Sequence, residues 1–529
     1  MGLDISEAPD RPRRRDLSFF FVALFVVAPL RLVAPLSWFF VVSSLYTGAI
    51  WSFTWRGYIL FAFTLCELFF SLYHQHLVTL VSVPWKHNIG NIAQLQLAFT
   101  RILKSGLAVL PEEGYDEEFL DFDRPGSPAE TITQLEPTDP RGIEFRNVLR
   151  TWFGRVPWSS IRRVQVKQWV YWSIFNKELP EEHNMSPSHR AILDETLELL
   201  EKRLGTRVPD GSNPAASPMR MTIDKVYIHN RPFFYYLFIA GVNWYLRTWY
   251  AKHWNLRHGN YKGLEYLVYV PDSWDAVDGP RPTVFLHGLG LGLLQYFPVT
   301  RNLRLQFSDR PLLIPLQPHI SQDIFHPHFL DPICRQDLAD RLAGLVHELG
   351  WVELPSKDCV DLSQEDALGP GVTMVSHSNG SYLHAWCLKQ HPEIITRSCF
   401  VDPVTFCSWE GDACYNFLYR LPTTGYELVV SYFVGCELGV ANLLRRHFDW
   451  SSNALWYEEI PNARNSSRAL FLLGGRDDII NAERVKKYLT SHGVRKGIWL
   501  DPNGLHGDAL KPGGAGLARV LEWIREDII

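Results

Sequence analysis

The chain has 529 residues, too many for one ordinary domain, and its 46% hydrophobic and 21% charged residues suit a chain that buries a large core. A net charge of −5 gives no basic field and excludes overall charge as a means of gripping nucleic acid. The eight cysteines show no CxxC pair and no metal-ligand spacing, which argues against a zinc ribbon or a disulfide framework and favours a reducing compartment.

From Leu17 to Tyr73 the sequence is apolar, with Arg31, Arg56 and Glu67 as its only charges. A membrane span needs about 20 such residues, and a soluble amphipathic helix would show a polar face. The run predicts about two spans within residues 17–73, broken near Pro29–Pro35 and Arg56–Gly57, in a membrane segment of residues 1–80. Arg11, Arg13, Arg14 and Arg15 precede the first span and hold the N-terminus in the cytosol. Two spans return the chain to that side, so a multi-pass protein with its C-terminal domain facing the cytosol, on the endoplasmic reticulum, is expected. The bilayer is thus an expected partner. The oligomeric state is left open.

Residues 81–260 read as an acidic linker and a helical extension. Glu112 to Asp139 is rich in carboxylates, Pro and Gly. Apolar positions between Gly142 and Gly205 recur at roughly helical spacing. Phe233–Tyr250, with Trp244, Tyr245 and Trp249, suits either a membrane interface or a helix that packs the C-terminal domain onto what precedes it.

Residues 261–529 alternate short β-rich runs with helical ones, the pattern of a mostly parallel sheet. Predicted strands are Leu264–Val270, Pro282–Leu286, Leu312–Pro315, Val372–Val375, Ser398–Val401, Ala469–Leu473 and Gly497–Leu500. Predicted helices include Asp337–Leu349, Ser381–Gln390, Ala482–Ser491 and Gly516–Arg525.

Four motifs at strand ends carry chemistry. In Val375-Ser376-His377-Ser378-Asn379-Gly380, a strand enters a sharp turn and then a helix, and small residues flank Ser378 two places on either side. That is what a nucleophile elbow needs, because strand and helix must approach closely while the serine hydroxyl stands clear. Ser376 takes the place usually held by glycine. His377 flanks the nucleophile and is expected to point away from it. Phe285-Leu286-His287-Gly288-Leu289-Gly290 ends a strand in HGxG. Its Leu289 N–H, with Gly288 and Gly290 nearby, and the Asn379 N–H are the candidate oxyanion-hole donors. Asp477, just past the strand Ala469–Leu473, is the candidate acid; Asp402, just past Ser398–Val401, is its rival. His506, in a glycine-rich loop after the last strand, is the candidate base. The order Ser378, Asp477, His506 is that of an acyl-transfer triad.

On these motifs the chain resembles the α/β-hydrolase fold superfamily over about 270 C-terminal residues, and within it eukaryotic, fungal-type membrane-anchored serine hydrolases. The resemblance implies an eight-stranded, mostly parallel sheet, a Ser–His–Asp triad and a lid inserted at about residues 403–467. The aromatic content of that stretch suits a small apolar ester or lipid substrate. The expected activity is a lipase- or esterase-like hydrolysis that needs no metal or organic cofactor. An acyltransferase using the same acyl-enzyme, or a non-catalytic membrane scaffold, are the alternatives.

Overall fold

The structure, a computed structural model, describes residues 4–10, 12–84, 91–107, 131–276, 278–352 and 371–526. Arg11, Cys359 and most of the acidic stretch after Glu112 lie outside the described residues.

At its centre is an eight-stranded sheet. The strands are β1 (Arg257–Tyr261), β2 (Leu264–Tyr269), β3 (Thr283–Leu286), β4 (Leu312–Pro315), β5 (Val372–His377), β6 (Ile395–Val401), β7 (Ala469–Gly474) and β8 (Ile498–Asp501), in the order β1-β2-β4-β3-β5-β6-β7-β8. The β1–β2 and β2–β4 pairs are antiparallel and all others parallel. All residues of β5 and β7 are buried, as strands covered on both faces must be. Their side chains alternate between two cores. Met374, Phe400 and Phe471 face one; Val375, Val401 and Leu472 face the other.

β1 was absent from the predicted strands. Its sequence, Arg-His-Gly-Asn-Tyr, is polar and largely exposed, so it carries no apolar alternation. What fixes it is the turn: Lys262 (φ 51°) and Gly263 (φ 91°) both take positive φ between Tyr261 and Leu264, the two-residue hairpin geometry that matches strand twist.

Helix α1 (Leu17–Tyr46) and helix α2 (Trp55–Ser82) are both long and apolar enough to cross a membrane. The break between them is at residues 47–54, just ahead of Arg56–Gly57 as predicted, while the expected break at Pro29–Pro35 is absent. Pro29 and Pro35 are carried inside α1, with a π-turn at Ala23–Val27 preceding Pro29. α2 also runs past Tyr73, because Leu77 and Val81 beyond its His74-Gln75-His76 interruption are buried against the C-terminal domain. Elsewhere both helices expose large apolar side chains, Phe39 at 72% among them.

Within the extension, α3 (Ile92–Lys104), α4 (Pro140–Leu149), α5 (Arg163–Phe175) and α6 (Pro187–Leu204) share one core with one face of the sheet. Helix α7 (Phe233–Trp254) packs on the other face through Leu246, Tyr250 and Trp254, while Phe233 and Tyr236 meet Phe70 of α2. The reading of this segment as a packing helix therefore holds. Packing against the sheet involves its C-terminal half.

Between β6 and β7 the chain makes a long excursion containing helices α8 (Gly425–Val430) and α9 (Leu438–Arg446). The bases of both apolar helices dock on it. The Asp16 N–H donates to the Thr423 carbonyl at 3.0 Å, and the Gly425 N–H to Ser18 Oγ at 2.8 Å. The buried Arg446 guanidinium donates to the carbonyls of Val81 (2.7 Å) and Thr222 (2.8 Å). Residues 4–10 lie along the extension, where Ser159 Oγ donates to Glu7 at 2.6 Å.

Candidate active site

The parallel strands deliver the candidate residues to one edge of the sheet. β5 ends at His377, and Ser378 follows with φ 51°, a left-handed conformation for a non-glycine residue, before the helix Gly380–Gln390 begins. The close approach this turn demands is visible at Gly380, where a Cβ would lie 2.3 Å from the Leu286 carbonyl oxygen. Ser376 occupies the other small position for a specific reason. Its hydroxyl bonds His384 Nδ1 at 2.9 Å, and His384 Nε2 in turn meets Ser398 Oγ at 3.1 Å. Glycine would leave that buried histidine short of a partner.

Ser378 Oγ lies 2.7 Å from His506 Nε2, and His506 Nδ1 lies 2.6 Å from Asp477 Oδ2. In the neutral imidazole, Nδ1–H donates to the carboxylate, which leaves Nε2 to accept the serine proton. The second oxygen of Asp477 accepts the backbone N–H groups of Ile479 (2.7 Å) and Ile480 (3.0 Å), so the carboxylate is held at both ends. Burial works against a charged His506. The charge and hydrogen bond of Asp477, together with the charge of Asp402, outweigh it and lift the imidazole to about 9.

Of the two rival carboxylates, Asp477 is therefore the one on His506. Asp402 is fully buried with φ 42°, and it accepts N–H groups from Gly474 (2.8 Å) and Gly507 (2.7 Å). It ties the end of β7, which leads to Asp477, to the residue after His506. Burial pushes its carboxyl up to about 6 and Asp477 adds to this, while the His506 charge opposes it.

The proposed oxyanion donors also come together. The Gly288 N–H is taken by Tyr296 Oη at 2.9 Å and the Gly290 N–H by the Ile320 carbonyl at 3.0 Å. Among the described residues, the N–H groups of Leu289 and Asn379 have no such acceptor. Gly288 has to be glycine here: a Cβ would sit 2.9 Å from Ser378 Cβ. Asn379 opens the helix Gly380–Gln390, whose positive end adds to the field at this point.

One neighbour, Tyr296, escaped the sequence reading. Tyr296 Oη also meets His377 Nδ1 at 2.8 Å, and the His377 ring lies 5.5 Å from that of His506. His377 thus turns from Ser378 yet packs beside the base. Burial, then the charges of His506 and His287, hold it well below its ordinary value and therefore neutral. No local pattern marks Tyr296, because its role comes from the helix Leu293–Gln306 folding back on the HGxG loop.

Above Ser378 lies a cavity of about 590 Å³. Its walls are mainly apolar, with Phe417, Leu418, Val430 and Leu444 from the excursion and Val299 from the helix below. A nucleophile, a base oriented by a buried acid and two unused N–H donors at the floor of an apolar cavity can together perform acyl transfer.

No protein family matches the sequence, and neither does any curated protein. Among solved structures, the chain is similar to a bacterial membrane phospholipase A, at 13% identity and a TM-score of 0.34 over 55% of this chain and 94% of that one. It is similar to carboxylesterase CesB from Bacillus subtilis, at 13% identity and a TM-score of 0.32 over 55% of this chain and 99% of that one. A third likeness is to naproxen esterase from Bacillus subtilis, at 15% identity and a TM-score of 0.34 over 54% of this chain and 97% of that one. At these TM-scores the functional reading rests on the site's own geometry.

Proposed function

We propose that this chain is a membrane-bound serine hydrolase that cleaves a carboxylic ester of an apolar substrate. The observation that carries the reading is the continuous relay Ser378 Oγ–His506 Nε2 and His506 Nδ1–Asp477 Oδ2, at 2.7 and 2.6 Å, beneath an apolar cavity. Ser378 Oγ attacks the ester carbonyl as its proton passes to His506. The oxyanion takes the N–H groups of Leu289 and Asn379. His506 then gives the proton to the leaving alcohol, and a water activated by the same histidine releases the acid and frees Ser378.

The excursion between β6 and β7 serves as the lid. Helices α1 and α2 are the two spans, and the N-terminus and the catalytic domain share the cytosolic side of an internal membrane, the endoplasmic reticulum. Arg13, Arg14 and Arg15 ahead of α1 support that orientation, as does the docking of both helix bases on one excursion.

The test is labelling of the full chain by a fluorophosphonate. Label should enter at Ser378 and be lost in Ser378→Ala. Labelling that survives the substitution would remove Ser378 as the nucleophile.

A further inference from the structure

The rim of the Ser378 cavity is of two kinds. Asp508 and Lys511 are charged, whereas Tyr426, Val430 and Val434 form an aromatic and apolar stretch. Tyr426 is 46% exposed while lining the cavity, so it marks the mouth. The apolar side is a wall one helix thick. Tyr426, Val430 and Val434, four residues apart, face inward. Gly425 faces α1 so closely that a Cβ would lie 2.7 Å from the Ser18 carbonyl oxygen and 3.0 Å from Val22 Cγ2. Val429, four residues on from Gly425, is exposed, and so is Leu421 just before the helix.

Apolar character continues through this wall. The arms Gly425–Gly435 and Leu438–Arg446 together are apolar and long enough for a span but meet at 78°, the bend of a broken span or a re-entrant element. On the other flank of the helical pair, Phe234 of α7 meets Phe63 of α2 at 6.3 Å between ring centres. Leu237 and Phe238 follow on an exposed face, then the exposed aromatics Trp244 and Tyr245, then Lys252. Apolar, aromatic and basic residues in that order along one helix are the sequence of a helix leaving hydrocarbon, crossing the headgroups and reaching water. The buried side of α7 touches the start of the helix Leu293–Gln306, which also lines the cavity, where the Leu294 N–H donates to Asn243 Oδ1 at 3.3 Å.

We propose that the cavity opens sideways into the bilayer beside helix α8, next to the first span, and that the substrate is a bilayer-resident lipid ester. Its acyl chain enters from the hydrocarbon past Tyr426 while its polar part stays at the Asp508–Lys511 rim. An acyl chain on this route passes from one apolar medium to another and never crosses water. The chemistry rests on the serine-hydrolase reading; the placement of the wall does not.

The test has two arms. The full chain is placed in phosphatidylcholine nanodiscs that include a phosphatidylcholine with a diazirine on its acyl chain. Crosslinks should map to residues 421–430 and to Leu237 and Phe238, equally in Ser378→Ala, and their absence from both segments overturns the proposal. In the second arm, Val429→Asp puts a charge on the outer face of the wall. It should lower hydrolysis of monooleoylglycerol in the nanodiscs about tenfold or more, while p-nitrophenyl butyrate hydrolysis in detergent and fluorophosphonate labelling stay unchanged. Equal loss on both esters, or loss on neither, overturns the lateral route. A wild-type chain that crosslinks as expected but hydrolyses neither ester sinks the serine-hydrolase reading and the substrate claim with it, while the wall keeps its place in the membrane.

Discussion

One oxygen of Asp402 accepts the Gly507 N–H at 2.7 Å and the other accepts the Gly474 N–H at 2.8 Å, so a single buried carboxylate fixes the loops that carry both His506 and Asp477. The two acids should separate in kinetics. Asp477→Asn removes the group on His506 and should lower kcat by ~10⁴-fold. Asp402→Asn keeps one acceptor but turns an NH₂ toward the other glycine, loosening the His506 loop at a cost of about 10- to 100-fold. Steady-state kinetics on the two purified variants, with labelling as a check of folding, decides it; the reverse order would move the triad acid to Asp402.

The pH profile follows from His506. The base must be neutral to accept the Ser378 proton, and its pKa is lifted from 6.5 to about 9. The rate constant kcat/KM should therefore rise with pH, with its acid limb displaced above 6.5 toward about 9. Asp477→Asn removes the largest raising influence, so its limb should move down even as its plateau falls. A wild-type limb at or below 6.5, or a limb that stays put in the variant, contradicts this account.

Gly288→Ala probes the oxyanion hole. The new Cβ has Ser378 Cβ and Tyr296 Oη at 2.9 Å and the His377 carbonyl oxygen at 3.0 Å. Neither the Ser378 Cβ nor the His377 carbonyl can give way without moving the Leu289 N–H or the nucleophile. We expect kcat to fall by about 10²- to 10³-fold, the cost of one misplaced donor, with little change in KM. Activity within a few-fold of wild type would show that the loop accommodates the methyl and that Leu289 is not the donor.

Much of this site was legible because its signals are local. A strand, a serine between small residues and a helix occupy consecutive positions, and Asp477 and His506 each follow an apolar run with turn residues. What the sequence hid is contact across long separations. Periodicity says that a residue is buried, never against what, so the bond from Tyr296 to His377 left no trace, and Asp402 showed only as a carboxylate past a strand end, without the two loops it joins. β1 was hidden for the opposite reason: an edge strand facing water needs no apolar pattern, and only Lys262-Gly263 hints at the turn that makes it. The break expected at Pro29–Pro35 was misplaced because proline was read as a helix breaker, whereas a helix in apolar surroundings keeps its remaining hydrogen bonds and carries Pro29 and Pro35 within it.

Topology gives a further prediction. With two spans, the N-terminus and the body of the C-terminal domain lie on one side. In sealed microsomes, added protease should degrade the catalytic domain, and the exposed sequon at Asn465 should carry no sugar. Protection of the domain, or a glycan on Asn465, would place it in the lumen and leave the triad untouched.

Arg446 has a bearing on how such a protein is made. Its guanidinium is 1% exposed and holds carbonyls from the end of the second apolar helix and from the 222–224 turn at once. A polypeptide cut after Ser82 to obtain a water-soluble enzyme would strand part of that cation's hydrogen bonding inside the protein and bare the surface that α1 covers on Gly425. The membrane helices are therefore no interchangeable tether. Their ends form part of the surface on which the excursion, hundreds of residues later in the sequence, completes its packing and hydrogen bonding.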